Sequence, residues 1–367
     1  MNELRSWIIL AWRLLHYIPY KMGLIKELPR LYDIFPETMD VLGRILGWHK
    51  YLRVRSVENC LQSGPIVFSG NHMQWDDAWI MFRAVYLATH GLHARFMMRD
   101  DFFSGSRLLQ NRFFDVNELT AMGGTYHVHR DNVTLSQLKP FVKLLTDGES
   151  FIMYPGRTRT RSGLFVEYRE DNAEPGSVSF FIAQAQRRNP DTRVAAVPIT
   201  RTLNPVNNRS TIILGDPQYI EPGADRAAQR AFDFALMERL GDLVEVNAAH
   251  LLGGVIYLYC LHDRGGCVPI SELESRVAAA RDRITARYIS AEAVSQLGAE
   301  IRCALAHFQA RSMLQLSGDR VELNRDAILS APEPDREYKE KNPVKFLVNQ
   351  IVHLPDVVAA IEDAALS

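Results

Sequence analysis

The chain has 367 residues, with Lys plus Arg at 42 against Asp plus Glu at 43 and a formal net charge of -1. That length allows one large core or a main domain with an accessory one. The balanced charge excludes a general attraction to nucleic acid or anionic lipid, so recognition of any anion has to be local.

Cys60, Cys260, Cys267 and Cys303 lie scattered without CxxC or zinc-finger spacing, and no cleavable signal sequence precedes them. The expectation is reduced thiols in a cytosolic compartment. The first segment, "SWIILAWRLLHYIPYKMG", is rich in Trp, Tyr and aliphatic residues, but Arg13, His16 and Lys21 interrupt it and Arg5 precedes it. A spanning helix needs roughly 20 mostly apolar residues, so a bilayer crossing is not expected. Trp7, Leu10, Ala11, Leu14, Leu15 and Ile18 follow helical spacing, with Trp12, Tyr17 and Tyr20 beside basic residues. Two readings fit this pattern: a helix lying at the headgroup boundary of a membrane, and a helix packed on the protein's own core.

Further along, "GPIVFSG" reads as a short buried strand and "DDAWIMFRAVYLATHG" as a helix started by an Asp cap and closed by Gly91. The pattern recurs. "ARFMMRD", "GGTYHVHR", "SFIMYP" and "RVAAVPIT" read as strands, and "LSQLKPFVKLLTDG" and "SVSFFIAQAQRR" as helices between them. Such alternation predicts an α/β architecture, a mixed but mostly parallel sheet flanked by helices. "STIILGDPQYI" reads as a last strand, after which "EPGADRAAQ" is punctuated by Pro and Gly and the periodicity turns helical to the end. The expected organisation is an N-terminal helical segment over 1–50, a catalytic domain over 51–222 and a C-terminal helical region over 223–367. In that last region "AHLLGGVIYLYCL" is too short to span a membrane and reads as a buried helix, and "SAPEPDREYKEKNP" as a charged surface loop.

The chemistry-bearing stretches begin with "GNHMQWDDAW" at residues 70–79. On one continuous helix His72 and Asp77 would point about 140° apart, so they meet only if the chain turns between them. The local signals supply that turn: His72 leaves a strand end, and Asp77 stands in the first turn of a helix, where a carboxylate is favoured. Asp77 could then hold one imidazole nitrogen and leave the other to take a proton. Alternatively, Asp76 or Asp77 only caps the helix and His72 fills the turn.

In "YPGRTRTRSG", Arg157, Arg159 and Arg161 alternate after a strand, which on an extended segment puts three planar forks on one side. They suit a phosphate, or else a solvated edge. In "GGTYHVHRDN", His127 and His129 share one face of a strand that ends near Arg130, but no third ligand has metal spacing to them, and no metal is expected. Neither "FSGNH" nor "RSGL" forms a G-x-S-x-G elbow, and no cysteine has a basic local sequence, so a covalent intermediate is not supported.

Together these stretches resemble the glycerolipid acyltransferase superfamily, in which an N-H-x4-D block precedes a G-x5-R block, a Gly/Arg-rich block and a V-P block. Here they are "NHMQWDD", "GTYHVHR", "YPGRTRTRSG" and "AVPIT" in that order. The closer similarity is to the glycerol-3-phosphate acyltransferase branch, because "RTRSG" matches its R-S-R-T-G, and "HDRGGCVPISELESRV" and "FLVNQIVHLP" are similar to segments of its C-terminal helical region. Two departures stand out. Gly156 falls where the family has a glutamate, and Gln74 where many members have Ser or Thr. Losing that carboxylate removes a group expected to position the glycerol hydroxyl or orient the arginines, which implies a divergent acceptor or reduced activity.

The resemblance implies direct transfer of a fatty acyl group from a thioester of coenzyme A or acyl carrier protein, as co-substrate, to a glycerol hydroxyl, with no separate cofactor. It implies His72 as general base, Asp77 as its orienting partner, and Arg130 and Arg159 as phosphate ligands supported by Arg157 and Arg161. Gly124 and Gly156, with Gly123, would let the backbone approach substrate. It also implies a peripheral site on the cytoplasmic face of a membrane, which the aromatic N-terminus suits, and no nucleic-acid partner. Two alternatives share these residues: a lysophospholipid acyltransferase acting on 1-acylglycerol 3-phosphate, and a non-catalytic protein that uses the arginines to bind anionic lipid.

Overall fold

The computed structural model describes residues 2–31, 47, 52–57, 61, 63–99, 115–129, 134–156, 159–165, 175–264, 266–284, 289–331 and 338–367. Its centre is a seven-stranded sheet made of β1 (Leu52–Ser56), β2 (Ile66–Gly70), β3 (Ala94–Arg99), β4 (Thr125–Val128), β5 (Ser150–Met153), β6 (Ala195–Asn204) and β7 (Arg209–Leu214). The spatial order is β1-β7-β6-β2-β5-β3-β4. Every neighbouring pair is parallel except β6 and β7, which form an antiparallel hairpin. The architecture is the expected α/β class, a mixed and mostly parallel sheet flanked by helices.

Why the central strands read as unbroken apolar runs follows from their position. Both faces of β2 are covered, so all five of its residues are buried. Side chains alternate between faces: Val67, Phe151 and Ala196 join Phe141, Phe181 and Ile182 on one side, whereas Ile66, Phe68, Ile152 and Val197 join Met81, Phe82 and Ile212 on the other. The helix Asp77–Ala88 lies on the second side; the helices Leu135–Thr146 and Val178–Arg188 lie on the first. The crevice outside the carboxyl ends of parallel strands is where open α/β sheets present their chemistry, and here β2 runs into His72 and β5 into Tyr154.

Several expectations need correcting. Strand β1 was not anticipated. The C-terminal region is not wholly helical: Cys267–Pro269 (β8), Leu314–Ser317 (β9) and Arg320–Leu323 (β10) make a small antiparallel sheet in the order β8-β10-β9. The end of the supposed surface loop "SAPEPDREYKEKNP" is a turn of helix, Tyr338–Lys341, with Tyr338 buried; its residues 332–337 lie outside the described ones.

The helix Asn2–Lys21 forms as expected, but the side that packs inward carries Tyr17, with Ile9 and Tyr20, against Leu119 and Met122. The Tyr17 hydroxyl donates to Glu118 Oε2 at 2.7 Å and accepts from the Asp115 amide at 3.0 Å, so this tyrosine serves the interior rather than a headgroup boundary. Leu4, Ile8, Trp12, Leu15 and Ile18 instead form an exposed apolar stripe, Trp12 being 63% accessible. Among the described residues no helix is long and apolar enough to cross a membrane.

The C-terminal region packs its own core from the helices Ala248–Leu261, Ile270–Arg283, Leu297–Ala310, Pro343–Ile351 and Pro355–Leu366. It also grips the sheet's carboxyl end. Phe346 and Tyr338 cover Met73 and Leu203, Gln350 exchanges both amide bonds with the Leu203 backbone at 3.2 and 3.0 Å, and Asn349 donates to the Ser162 carbonyl at 2.9 Å. Gly163 makes this approach possible. Its φ is +95°, and a Cβ there would sit 2.3 Å from the Phe346 carbonyl oxygen. Gly163→Ala should therefore lower stability by roughly 2–3 kcal/mol, measured as a urea midpoint at unchanged slope. A loss below about 0.5 kcal/mol, the range of ordinary surface substitutions, would contradict this packing.

Candidate active site

The site begins where β2 ends. Asn71 ties the departing chain to β6, its Nδ2 donating to the Arg201 carbonyl at 2.9 Å and its Oδ1 accepting from the Arg201 amide at 2.7 Å. The chain then turns, and the next helix opens at Asp77. Across this turn His72 Nδ1 lies 2.7 Å from Asp77 Oδ2. The same carboxylate oxygen accepts from the amides of Met73 at 2.5 Å and Gln74 at 2.7 Å, and Oδ1 accepts from Arg201 Nη1. Asp77 is fully buried, while the His72 side chain remains 22% accessible.

Arg201 holds this carboxylate in place. Its side chain is buried, donates from Nη1 to Asp76 Oδ1 at 2.7 Å as well as to Asp77, and donates from Nε to the Ser210 hydroxyl at 3.0 Å. One cation against two carboxylates leaves the cluster net negative, facing the imidazole. Burial alone would raise the Asp77 carboxyl, but the Arg201 charge, the His72 bond and the Gln74 amide outweigh it and hold it below the ordinary range. Burial works against the Arg201 charge too, and the two aspartates more than offset it, so its value rises. An ionised Asp77 can only accept, so His72 donates from Nδ1 and keeps Nε2 as the acceptor nitrogen.

Asp76 precedes the helix but makes no side-chain capping bond. Asp76 does stand at the N-cap position, and its side chain is turned to Arg201 instead of the helix amides.

The arginine block meets the same turn. The Thr160 amide donates to the His72 carbonyl at 2.8 Å, and the Thr160 hydroxyl accepts from the Gly163 amide at 3.1 Å. The second bond bends the chain over residues 161–163, from the last of the three arginines onward. Arg159, immediately before Thr160, is half-buried, and among the described residues nothing pairs with its side chain. Arg161 is exposed and has a partner of its own. Gly156 lies half-buried in the turn just after β5, at the carboxyl end of the sheet. Arg130 and Arg157 lie outside the described residues.

Gly124 does not belong to this site. It precedes β4, which runs parallel to β3 and through β5 to β2, so it stands at the amino end of the sheet, opposite His72. Its φ of +95° serves the turn from the helix Val116–Met122 into the strand. Gly123 caps that same helix. His127 bonds Thr120 at 3.1 Å, and His129 likewise has a partner. Among the described residues no group of three or more His, Cys, Asp or Glu is placed to hold a metal ion. Cys260, Cys267 and Cys303 are free thiols.

Two residues escaped the sequence reading. Arg201 follows "AVPIT" directly, in a strand whose ten residues are all buried. An arginine in such a strand requires an acidic partner, and that was the available signal. Tyr154 ends the strand-like "SFIMYP"; its ring stacks on the imidazole of His72 with centroids 4.5 Å apart and planes 7° from parallel.

No family model matches the chain, and neither does any curated protein. Among solved structures it is similar to the crystal structure of the 1-acyl-sn-glycerophosphate (LPA) acyltransferase, PlsC, from Thermotoga maritima, at 12% identity and a TM-score of 0.36, over 65% of this chain and 97% of that one.

Folding lowers the Asp77 value below its unfolded one, so its stabilisation is complete above the unfolded carboxylate value and is lost as pH falls through the folded value. Asp77→Asn, which leaves Arg201 short of a partner, should cost about 3–5 kcal/mol near neutral pH. Denaturant titrations should show that gap constant down to about pH 5 and shrinking below about pH 4. A gap that stays constant to pH 3 would contradict an ionised Asp77.

Proposed function

We propose that this chain is an acyltransferase that moves a fatty acyl group from an acyl thioester, of coenzyme A or acyl carrier protein, to the hydroxyl of glycerol 3-phosphate or a related phosphorylated glycerolipid precursor. One observation carries the reading. An imidazole with Nδ1 bound to an ionised, buried carboxylate and part of its ring open to solvent shares a hydrogen-bonded turn with an arginine-rich segment. A base beside a phosphate-binding group is what a phosphorylated alcohol acceptor requires.

In this scheme Nε2 of His72 takes the acceptor's hydroxyl proton as the oxygen attacks the thioester carbonyl. The carbon–oxygen bond forms, the carbon–sulfur bond breaks, and His72 returns the proton to the leaving thiolate. Asp77 keeps Nδ1 protonated, and the net negative Asp76–Arg201–Asp77 cluster offsets the positive charge that develops on the ring. No covalent acyl-enzyme is needed. Arg159, half-buried and unpaired among the described residues, is the first phosphate ligand, joined by Arg157 and Arg161 of the same block and by Arg130 of the G-x5-R block.

A second acceptor, 1-acylglycerol 3-phosphate, is favoured by the apolar groups beside the base. Trp75 is 61% exposed three residues after His72, and Leu164 is exposed at the end of the arginine bend. Both offer surface to an acceptor that already carries an acyl chain. The exposed stripe Leu4, Ile8, Trp12, Leu15 and Ile18 supports a peripheral seat at the cytoplasmic face of a membrane, where an acceptor that already carries an acyl chain resides.

Purified protein supplied with acyl-CoA and each acceptor in turn, with and without lipid vesicles, tests the reading. His72→Ala should lower kcat roughly 100- to 10,000-fold, and Arg159→Ala should chiefly raise KM for the phosphorylated acceptor. Equal product from His72→Ala and the parent overturns the assigned base, and an unchanged acceptor KM in Arg159→Ala overturns the phosphate site.

A further inference from the structure

A single hydrogen bond directs an imidazole but does not fix it. The bond from Nδ1 to Asp77 sets where that nitrogen points, and the ring can still rock about the line joining the two atoms. His72 is partly open to solvent, so water on that side supplies no rigid wall. The rest of the constraint has to come from the ring's other face.

We infer that Tyr154 is a positioning residue for His72, its ring face fixing the plane of the imidazole so that Nε2 stays turned toward the acceptor. This rests on His72 acting as the base in the reaction proposed above. The rings lie nearly parallel, 7° apart at 4.5 Å between centroids, within the range of favourable aromatic stacking. Tyr154 is itself wedged. Phe96 meets its ring at 5.6 Å and 66°, close to edge-on. On another side lies the backbone of Gly70, where an added Cβ would stand 3.0 Å from Tyr154 Cε1 and 3.2 Å from Cδ1.

The sheet places these groups together. β2 and β5 are parallel neighbours with Ser69 opposite Met153, so the next residues, Gly70 and Tyr154, leave side by side, and His72 follows two residues later. The absence of a side chain at Gly70 is what leaves room for the tyrosine ring.

The Tyr154 hydroxyl is buried and, among the described residues, has no hydrogen-bond partner. Burial first, and the nearby Asp77 charge second, push the phenol well above its ordinary value, so it stays neutral. A buried hydroxyl without a partner adds no stability. The ring, not the oxygen, is therefore the part the site uses, and phenylalanine is the conservative substitute.

The test compares Tyr154→Leu, which keeps apolar bulk without a flat face, with Tyr154→Phe, which keeps the face. Tyr154→Leu should lower kcat roughly 10- to 100-fold, the scale of small misplacements of a reacting group, at nearly unchanged KM for both substrates. Tyr154→Phe should recover most of that loss. In parallel, the ring-nitrogen NMR signals of His72 should be single and sharp in the parent and in Tyr154→Phe, and broadened or doubled in Tyr154→Leu. Equal kcat in the two variants, a loss confined to KM, or sharp His72 signals in Tyr154→Leu would each overturn the assignment.

If Tyr154→Leu does not fold, Gly70→Ala is the second variant. It leaves the tyrosine in place and pushes its ring away, and it should reproduce the kcat loss and the broadening; an unchanged kcat and sharp signals overturn the assignment equally. The NMR arm needs no turnover. A parent that transfers no acyl group would overturn the proposed reaction while the order of the His72 ring still decides the role of Tyr154.

Discussion

A carboxylate buried in a protein has to be held by donors on every side, and Asp77 is held by four: two backbone amides, an imidazole nitrogen and a guanidinium. These four donors come from three parts of the fold. The amides belong to the turn that follows β2, the imidazole to the residue that leaves the strand, and the guanidinium to β6, the neighbouring strand in the sheet. Removing water from this charge is costly unless the geometry is complete, so the turn, the helix start and the register of β2 against β6 are mutually dependent. The orientation of His72 is a by-product of satisfying Asp77.

The arginine segment and the C-terminal region are organised around the same turn. Thr160 binds the His72 carbonyl, the Thr160 hydroxyl bends the segment back at Gly163, and the helix Pro343–Ile351 lies against that bend through Phe346 and Asn349. A shift of that helix would pass directly to the segment carrying Arg159 and Arg161. The C-terminal helices therefore support the site's geometry while burying a core of their own.

Much of this was legible in the sequence. The uninterrupted apolar strands "GPIVFSG" and "SFIMYP" announced a sheet covered on both faces, and the spacing of His72 and Asp77 across a strand-to-helix turn made their meeting possible. What escaped did so for physical reasons. β8, β9 and β10 are three or four residues long, and only the alternation of Leu314 with Leu316 and of Val321 with Leu323 around Gly318 marks β9 and β10. On the N-terminal helix, aromatic residues occupy both sides, so periodicity alone could not say that Tyr17 turns inward while Trp12 turns out. Arg201 and Tyr154 act through neighbours far away in the chain, and register between strands, which a local reading does not supply, is what brings them to His72. Gly124 shows the converse: its block stood in the right order along the chain, but its position at the amino end of β4 removes it from the site.

The central claim is that Asp77, kept ionised by Arg201, holds His72 with its proton on Nδ1 and its lone pair on Nε2. Nitrogen NMR of histidine-labelled protein at neutral pH reads this directly. The expected result is a His72 signal pair with Nδ1 in the protonated range and Nε2 in the unprotonated range, a pattern that disappears in Asp77→Asn. A His72 protonated on Nε2 and bare on Nδ1, or a pattern that survives in Asp77→Asn, would contradict it.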